Sequence, residues 1–489
     1  MRPAHWYLFL FTSGAASTAL EIAGLRFLAP LFGSSLPIWG AAIATVIAGL
    51  ALGYAHGGRR AREETTILTV VCYACAGAIF FLLMPAVYHW AKVLPGSVGL
   101  TLAYAILFVP SVVFGAVNPL AVQVEAARRG EAAGSVAGRI SSLTTIGSLL
   151  GILLPSFITI PFLGTRETSW VFGGAVLLLS LPLLFEPKGS PRAKSRGPLI
   201  SIVLLALAAA LTSLIPAPPD PDTIFAAETP YQHVAVKQYG STRALTFDAT
   251  FGIQSVYTRE RYTDGYWDYV AALPAFLPKE NIRVLVLGAA ASTSEHQLQK
   301  FWAGQKTFEF TSVELDGALF KIADAYFDPP ERTTVAADAR AFIASDTNQY
   351  DIIIVDAYAR ELTIPFHLVT QEFFETVKPR LAAGGILVVN ANATSSDNIW
   401  IRSLSRTMHK VFPHVRIISV PKSCNHEILA SHNPLPPAEK AGPDINALTR
   451  VLEAGESPRG TGLLLTDNRA PTDWLGISAL LSTSENNCG

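Results

Sequence analysis

A chain of 489 residues, half of them hydrophobic, is long enough to form more than one domain. With 37 Lys and Arg against 38 Asp and Glu it is close to neutral, which argues against a nucleic-acid partner. Its four cysteines have no metal-ligand spacing and make no disulfide framework, and no metal site is expected.

The apolar residues crowd into the first half. Seven stretches, roughly 6–30, 36–57, 66–90, 98–123, 141–163, 168–186 and 198–216, are long enough to cross a bilayer. The first is too long, and followed by too many others, to be a cleaved signal peptide. Residues 1–217 therefore read as an α-helical transmembrane bundle of about seven spans, with the lipid bilayer as a partner. Glu21 and Arg26 lie inside the first span, as a polar relay, a structural ion pair, or with Arg26 reaching for the surface. Asn118-Pro119 predicts a kink in the fourth. Arg59, Arg60 and Arg62 follow the second span, Arg128 and Arg129 the fourth, and Lys188, Arg192, Lys194 and Arg196 the sixth. This asymmetry places the N-terminus in the cytoplasm, and seven spans would then leave the C-terminal half outside. Cys72 and Cys75 read as packing residues, and Cys424 and Cys488 could pair only in an oxidising compartment.

"PAPPDPD" at 216–222 is a stiff, helix-breaking linker. Residues 218–281 contain short β-rich runs separated by Gly and Asp turns, the pattern of a small β-hairpin subdomain. Residues 282–489 alternate strands, 283–288, 308–315, 333–338, 351–358 and 385–391, with helical stretches. That order predicts a Rossmann-like, methyltransferase-type domain whose ligand sits at the carboxyl ends of parallel strands. Acids stand at three successive strand ends: Glu314 and Asp316, then Asp338, then Asp356. An acid after the second strand is the usual partner of ribose hydroxyls, so the row predicts a nucleoside pocket.

On these residues the chain resembles the spermidine synthase family of aminopropyltransferases, in its membrane-fused branch. Thr229-Pro230-Tyr231-Gln232 is similar to the family's S/T-P-Y-Q. Ile253-Gln254, Tyr266 with Asp268, Val313–Asp316, and Ala337–Arg340 match its further motifs, and "VDAYARELTIPFHLVTQEFF" resembles the membrane-fused branch. The resemblance implies Asp356 and Tyr266 as catalytic base and orienter, Glu314 on the ribose, and Asp338 with Ala339 at the adenine. Tyr231, Gln232, Gln254, Gly288, Ala291, Ser292, Tyr358 and Arg360 are expected around the substrate. The resemblance also implies a small-molecule substrate, S-adenosylmethionine or its decarboxylated form, no further cofactor, and pairing of subunits into a homo-oligomer.

The loop after the first strand departs from the family. Where the family has Gly-Gly-Gly-Asp-Gly, this chain has Gly288-Ala289-Ala290-Ala291-Ser292, so the acid that grips the aminopropyl amine aligns with Ala291. A second acid after Asp356 is also absent, with Ala359, Arg360 and Glu361 in its place. Losing the loop acid removes a repulsion against the carboxylate of intact S-adenosylmethionine. "STSE" at 292–295 reads as a capping box whose helix N-terminus would welcome that anion. Asp268, Asp356, Glu361 and Asp467 remain for an amine.

The expected activity is therefore cleavage of S-adenosylmethionine to methylthioadenosine by its own carboxylate, with a homoserine lactone as co-product. The alternative is transfer of an aminopropyl group from the decarboxylated nucleoside to putrescine. A methyltransferase would leave Tyr266 and the hairpin idle, and a non-catalytic nucleoside or polyamine sensor or transporter would bind without turnover. The expected location is the plasma (inner) membrane. Cytosolic substrate favours an inward-facing domain, and the Lys/Arg distribution an outward one.

Overall fold

The computed structural model describes residues 3–32, 36–62, 65–91, 96–184, 220–247, 252–358, 364–472 and 474–475. The chain divides into two compact units, Met1–Pro219 and Asp220–Gly489.

The first unit is helical: α1 (Pro3–Phe32), α2 (Leu36–Arg60), α3 (Ile67–Ala91), α4 (Gly96–Arg129), α5 (Ala133–Leu154) and α6 (Thr165–Leu184). α5 runs on through a π-helical turn, Pro155–Thr159, and a last turn, Ile160–Leu163. Five helices among the described residues are long and apolar enough to cross a membrane. The seventh predicted span, 198–216, and most of the linker lie outside the described residues. α4 continues through both Pro110 and Pro119, so Asn118-Pro119 does not end it.

Small residues set how closely these helices approach. Gly49, Gly53 and Gly57 recur every fourth residue along α2 and face α4. A Cβ on Gly53 would lie 2.2 Å from the Val112 carbonyl oxygen, and one on Gly57 2.7 Å from that of Ala116. Gly147 and Gly151 on α5 meet the backbone of α1 in the same way. Large apolar side chains such as Phe157, Phe162 and Leu178 point outward instead.

The second unit begins with an antiparallel meander, β1 (Thr223–Glu228), β2 (His233–Tyr239), β3 (Thr242–Phe247) and β4 (Ile253–Tyr257). A seven-stranded sheet follows: β5 (Asn281–Leu287), β6 (Thr307–Glu314), β7 (Thr333–Ala336), β8 (Tyr350–Val355), β9 (Leu381–Asn392), β10 (His414–Ser419) and β11 (Asn425–Ser431). Its order is β10-β11-β9-β8-β5-β6-β7. β5 to β9 pair in parallel, and β11 runs antiparallel to both β9 and β10. This is the Rossmann-like, methyltransferase-type sheet that the strand–helix alternation predicts. Its central strands are apolar on both faces because both faces are covered, which stabilises a parallel sheet. The chain order reverses between β5 and β8, so the switch point opens at Gly288 and Asp356.

Candidate active site

The rim is built around the loop after β5. Gly288 has φ +91°, and a Cβ there would lie 2.5 Å from the Asp356 carbonyl oxygen, so only glycine fits. Ala290 (φ +44°) and Ser292 (φ +64°) hold the left-handed backbone that glycines would adopt freely. That costs about 1–2 kcal/mol per residue, so neighbouring contacts must hold the loop. The Ala290 N–H donates to Glu314 Oε2 (3.0 Å), and the Ala291 N–H to Ser255 Oγ on β4 (3.0 Å). Thr293 Oγ1 accepts from the Val256 N–H (2.8 Å) and donates to its carbonyl (3.1 Å). The meander is thereby stitched to the loop.

The expected capping box does not form. The Ser292 N–H is engaged by the Ala289 carbonyl, its side chain does not cap helix α8 (Thr293–Phe301), and Glu295 Oε1 instead accepts from Ser312 Oγ. Ala291 and Ser292 are both buried, Ala291 in an apolar cluster with Val234, Leu245 and Leu319. The part of the loop that faces outward is Gly288 and Ala290.

One end of the rim holds Glu314 and Asp338. Glu314 accepts from the N–H groups of Ala290 and Asp316 (3.0 and 3.2 Å). Burial raises its pKa, opposed by those N–H groups. Asp338 caps α9 (Ala339–Ser345) through the Arg340 and Ala341 N–H groups and pairs with His367 Nε2 at 3.1 Å. Burial would raise its pKa, but the Ala341 N–H and His367 outweigh it and leave it below the ordinary carboxylate value. Ala339 is buried behind it. Asp467 is not available to an amine, because Arg340 holds it with two 2.6 Å bonds and Thr370 with a third at 2.7 Å.

The other end belongs to Asp356, just past β8. Tyr266 donates to its Oδ2 at 2.6 Å and Asn390 Nδ2 to its Oδ1 at 2.9 Å. Burial pushes its pKa up to about 6, against the two hydrogen bonds that lower it. Burial, followed by the Asp356 charge, holds the Tyr266 hydroxyl protonated well above its usual range. Tyr266 opens the short helix α7 (Tyr266–Val270), and its ring lies 4.2 Å from that of Trp267. Asp268 fixes this helix: it accepts from Thr263, Asp264 and Gln297 and is 3% exposed. It is a positioning residue for Tyr266 and not a free acid. Tyr358 donates to the Asn390 carbonyl (3.0 Å).

Asp356, Tyr266 and Tyr358 thus come together, and Gly288 touches the backbone of Asp356. Tyr231, Gln232 and Gln254 lie on the meander, with neither glutamine side chain hydrogen-bonded among the described residues. Ala359, Arg360 and Glu361 lie outside the described residues. Asn390 and Glu427 are absent from the predicted site. Glu427 is 1% exposed on β11 and paired in register with Asn390, and among the described residues both its carboxylate oxygens are without a hydrogen-bond partner. The signal was present in "HEILA": apolar residues on both faces of a strand mean that an acid among them is buried. No group of His, Cys, Asp and Glu among the described residues could hold a metal ion.

The Spermine/spermidine synthase domain model matches residues 263–424. The polyamine aminopropyltransferase of Vibrio vulnificus is 31% identical over 238 residues, which span 46% of this chain and 76% of that protein. The probable polyamine aminopropyl transferase of Bifidobacterium longum is 31% identical over 282 residues; the match spans 52% of this chain but only 62% of that relative's length. Polyamine aminopropyltransferase 2 of Aquifex aeolicus is 23% identical over 425 residues, 82% of each chain, so that likeness extends into the helical unit.

Proposed function

This chain belongs to the spermine/spermidine synthase family of polyamine aminopropyltransferases, and on that premise we propose that it transfers the three-carbon arm of a sulfonium nucleoside to an amine. The observation that carries this reading is the 2.6 Å hydrogen bond from Tyr266 to Asp356 at the switch point. The amine nitrogen forms a bond to the arm carbon next to sulfur. The carbon–sulfur bond breaks, its electron pair goes to sulfur, and neutral methylthioadenosine leaves. The new ammonium loses its proton to Asp356. A sulfonium is a good leaving group, so holding the nucleophile in line supplies most of what is needed, up to about 7–11 kcal/mol in the best cases. Proton transfer to a placed carboxylate adds about 10²–10⁴-fold. Glu314 and Asp338 would hold the ribose and the adenine, and Gly288 would let the nucleoside approach the backbone.

The donor in this reading is decarboxylated S-adenosylmethionine, and putrescine is the first acceptor to test. Two features move the balance from lactone formation toward amine transfer. The helix start that was to receive a carboxylate is buried from Ala291 to Ser294, and an additional buried acid, Glu427, lies two strands from Asp356, across Asn390. Lactone formation from S-adenosylmethionine keeps one supporting observation, the acid-free loop at 288–292. Incubation with either nucleoside, with and without putrescine, followed by mass spectrometry, separates the two. Methylthioadenosine and spermidine from the decarboxylated donor support transfer. Methylthioadenosine and homoserine lactone from S-adenosylmethionine alone support cyclisation, and neither product from any mixture refutes both.

The helical unit is proposed to sit in the bilayer. Its five long apolar helices and outward-facing Phe157 and Phe162 support this, since such surface is costly in water.

A further inference from the structure

We propose that Glu427 binds the distal ammonium of a diamine acceptor, so that Asp356 and Glu427, on either side of Asn390, select a diamine over a monoamine. The proposal rests on the amine-transfer reading above. Register puts the three residues in one row. Val355 pairs with Val389, so Asp356 follows beside Asn390, and Asn390 pairs directly with Glu427. Paired residues point to the same side of a sheet. That side is the one where Val388, Ile354 and Leu429 pack beneath Tyr266 and Trp267. Two interstrand steps separate Asp356 from Glu427 by about 10 Å at the backbone. Long side chains narrow that gap toward the span of a short alkyl diamine.

The neighbours leave Glu427 unanswered. Asn390 gives its N–H to Asp356 and receives one from Asn425, and the Tyr358 and Tyr266 hydroxyls donate elsewhere. A fully buried carboxylate with no donor is costly unless a cation meets it or it takes up a proton. Burial first, then the Asp356 charge, raises the Glu427 pKa well above its ordinary value. An ammonium on a flexible alkyl chain supplies the missing charge and donors. The loop at 288–292 offers no acid for that role.

The test uses the full-length protein in detergent or nanodiscs and compares putrescine with n-butylamine. In the wild type KM should favour putrescine. In Glu427→Gln the KM for putrescine should rise roughly 10-fold or more, the size of one lost charge-assisted hydrogen bond. The KM values for n-butylamine and for the nucleoside donor should stay near wild type. Glu427→Asp, which keeps the charge on a shorter arm, should fall between. An unchanged putrescine-to-butylamine ratio in Glu427→Gln overturns the proposal. If the wild type turns over no amine, the transfer reading fails, and melting midpoints still judge Glu427. A rise with putrescine in the wild type that is lost in Glu427→Gln supports the cation site. Equal shifts, or none in either protein, overturn it.

Discussion

The two ends of the strand rim treat their carboxylates differently. At one end Glu314 and Asp338 are tied to backbone N–H groups, and Asp338 also to His367. At the other end, among the described residues, Asp356 has two side-chain donors and Glu427 none. Backbone donors fix a carboxylate in place and favour its charged form. Burial without donors favours the neutral form and leaves lone pairs for a ligand. One end therefore presents rigid acceptors to neutral hydroxyl and amino groups, and the other an electrostatic vacancy for a cation.

Substitutions can break this contrast. Asp356→Asn should reduce kcat by about 10²–10⁴-fold, the range for a lost general base, with little effect on nucleoside binding. A loss confined to KM would assign Asp356 to the nucleoside instead. Gly288→Ala should come next. It forces a Cβ to 2.5 Å from the Asp356 carbonyl at φ +91°, and strain of about 1–3 kcal/mol should appear in thermal unfolding together with a fall in activity.

The pH profile sharpens the comparison. With Asp356 raised to about 6, the base form grows as pH rises, so kcat/KM should climb through pH 6 and level above it. Tyr266 stabilises the ionised form, so Tyr266→Phe should move that limb to higher pH. A limb that stays in place would separate the hydroxyl from Asp356. Asp338→Asn should weaken nucleoside binding with little loss of stability, because Asn caps a helix about as well as Asp, and should leave the limb unmoved. The smallest effect concerns compartment. Cys424 is disulfide-bonded while Cys72 and Cys75 are free, so Cys424 should resist alkylation until reductant is added. Ready alkylation in intact cells would remove the reason to place this unit on an oxidising side.

The sheet was legible because apolar runs alternating with helices leave few topologies, and Asp356 with Tyr266 because a resemblance supplied their roles. The conflict lay in short polar segments. "STSE" has the residues of a capping box, but tertiary contacts force Ser292 into a left-handed backbone. Asp268 and Asp467 look like free acids, yet a turn and an arginine engage them. "HEILA" marks Glu427 as a buried acid, but only the pairing of β11 with β9 brings it beside Asn390. Local sequence records the type of a polar residue, while its availability depends on partners far away in the chain.

The most direct measurement follows the arm itself. Decarboxylated S-adenosylmethionine carrying ¹³C in the three-carbon arm is given to the protein with putrescine, and the label is traced by NMR. The account predicts label bonded to the amine nitrogen and an unlabelled methylthioadenosine that retains its methyl group. A methyl group moved to the amine, with the arm still on sulfur, would contradict it.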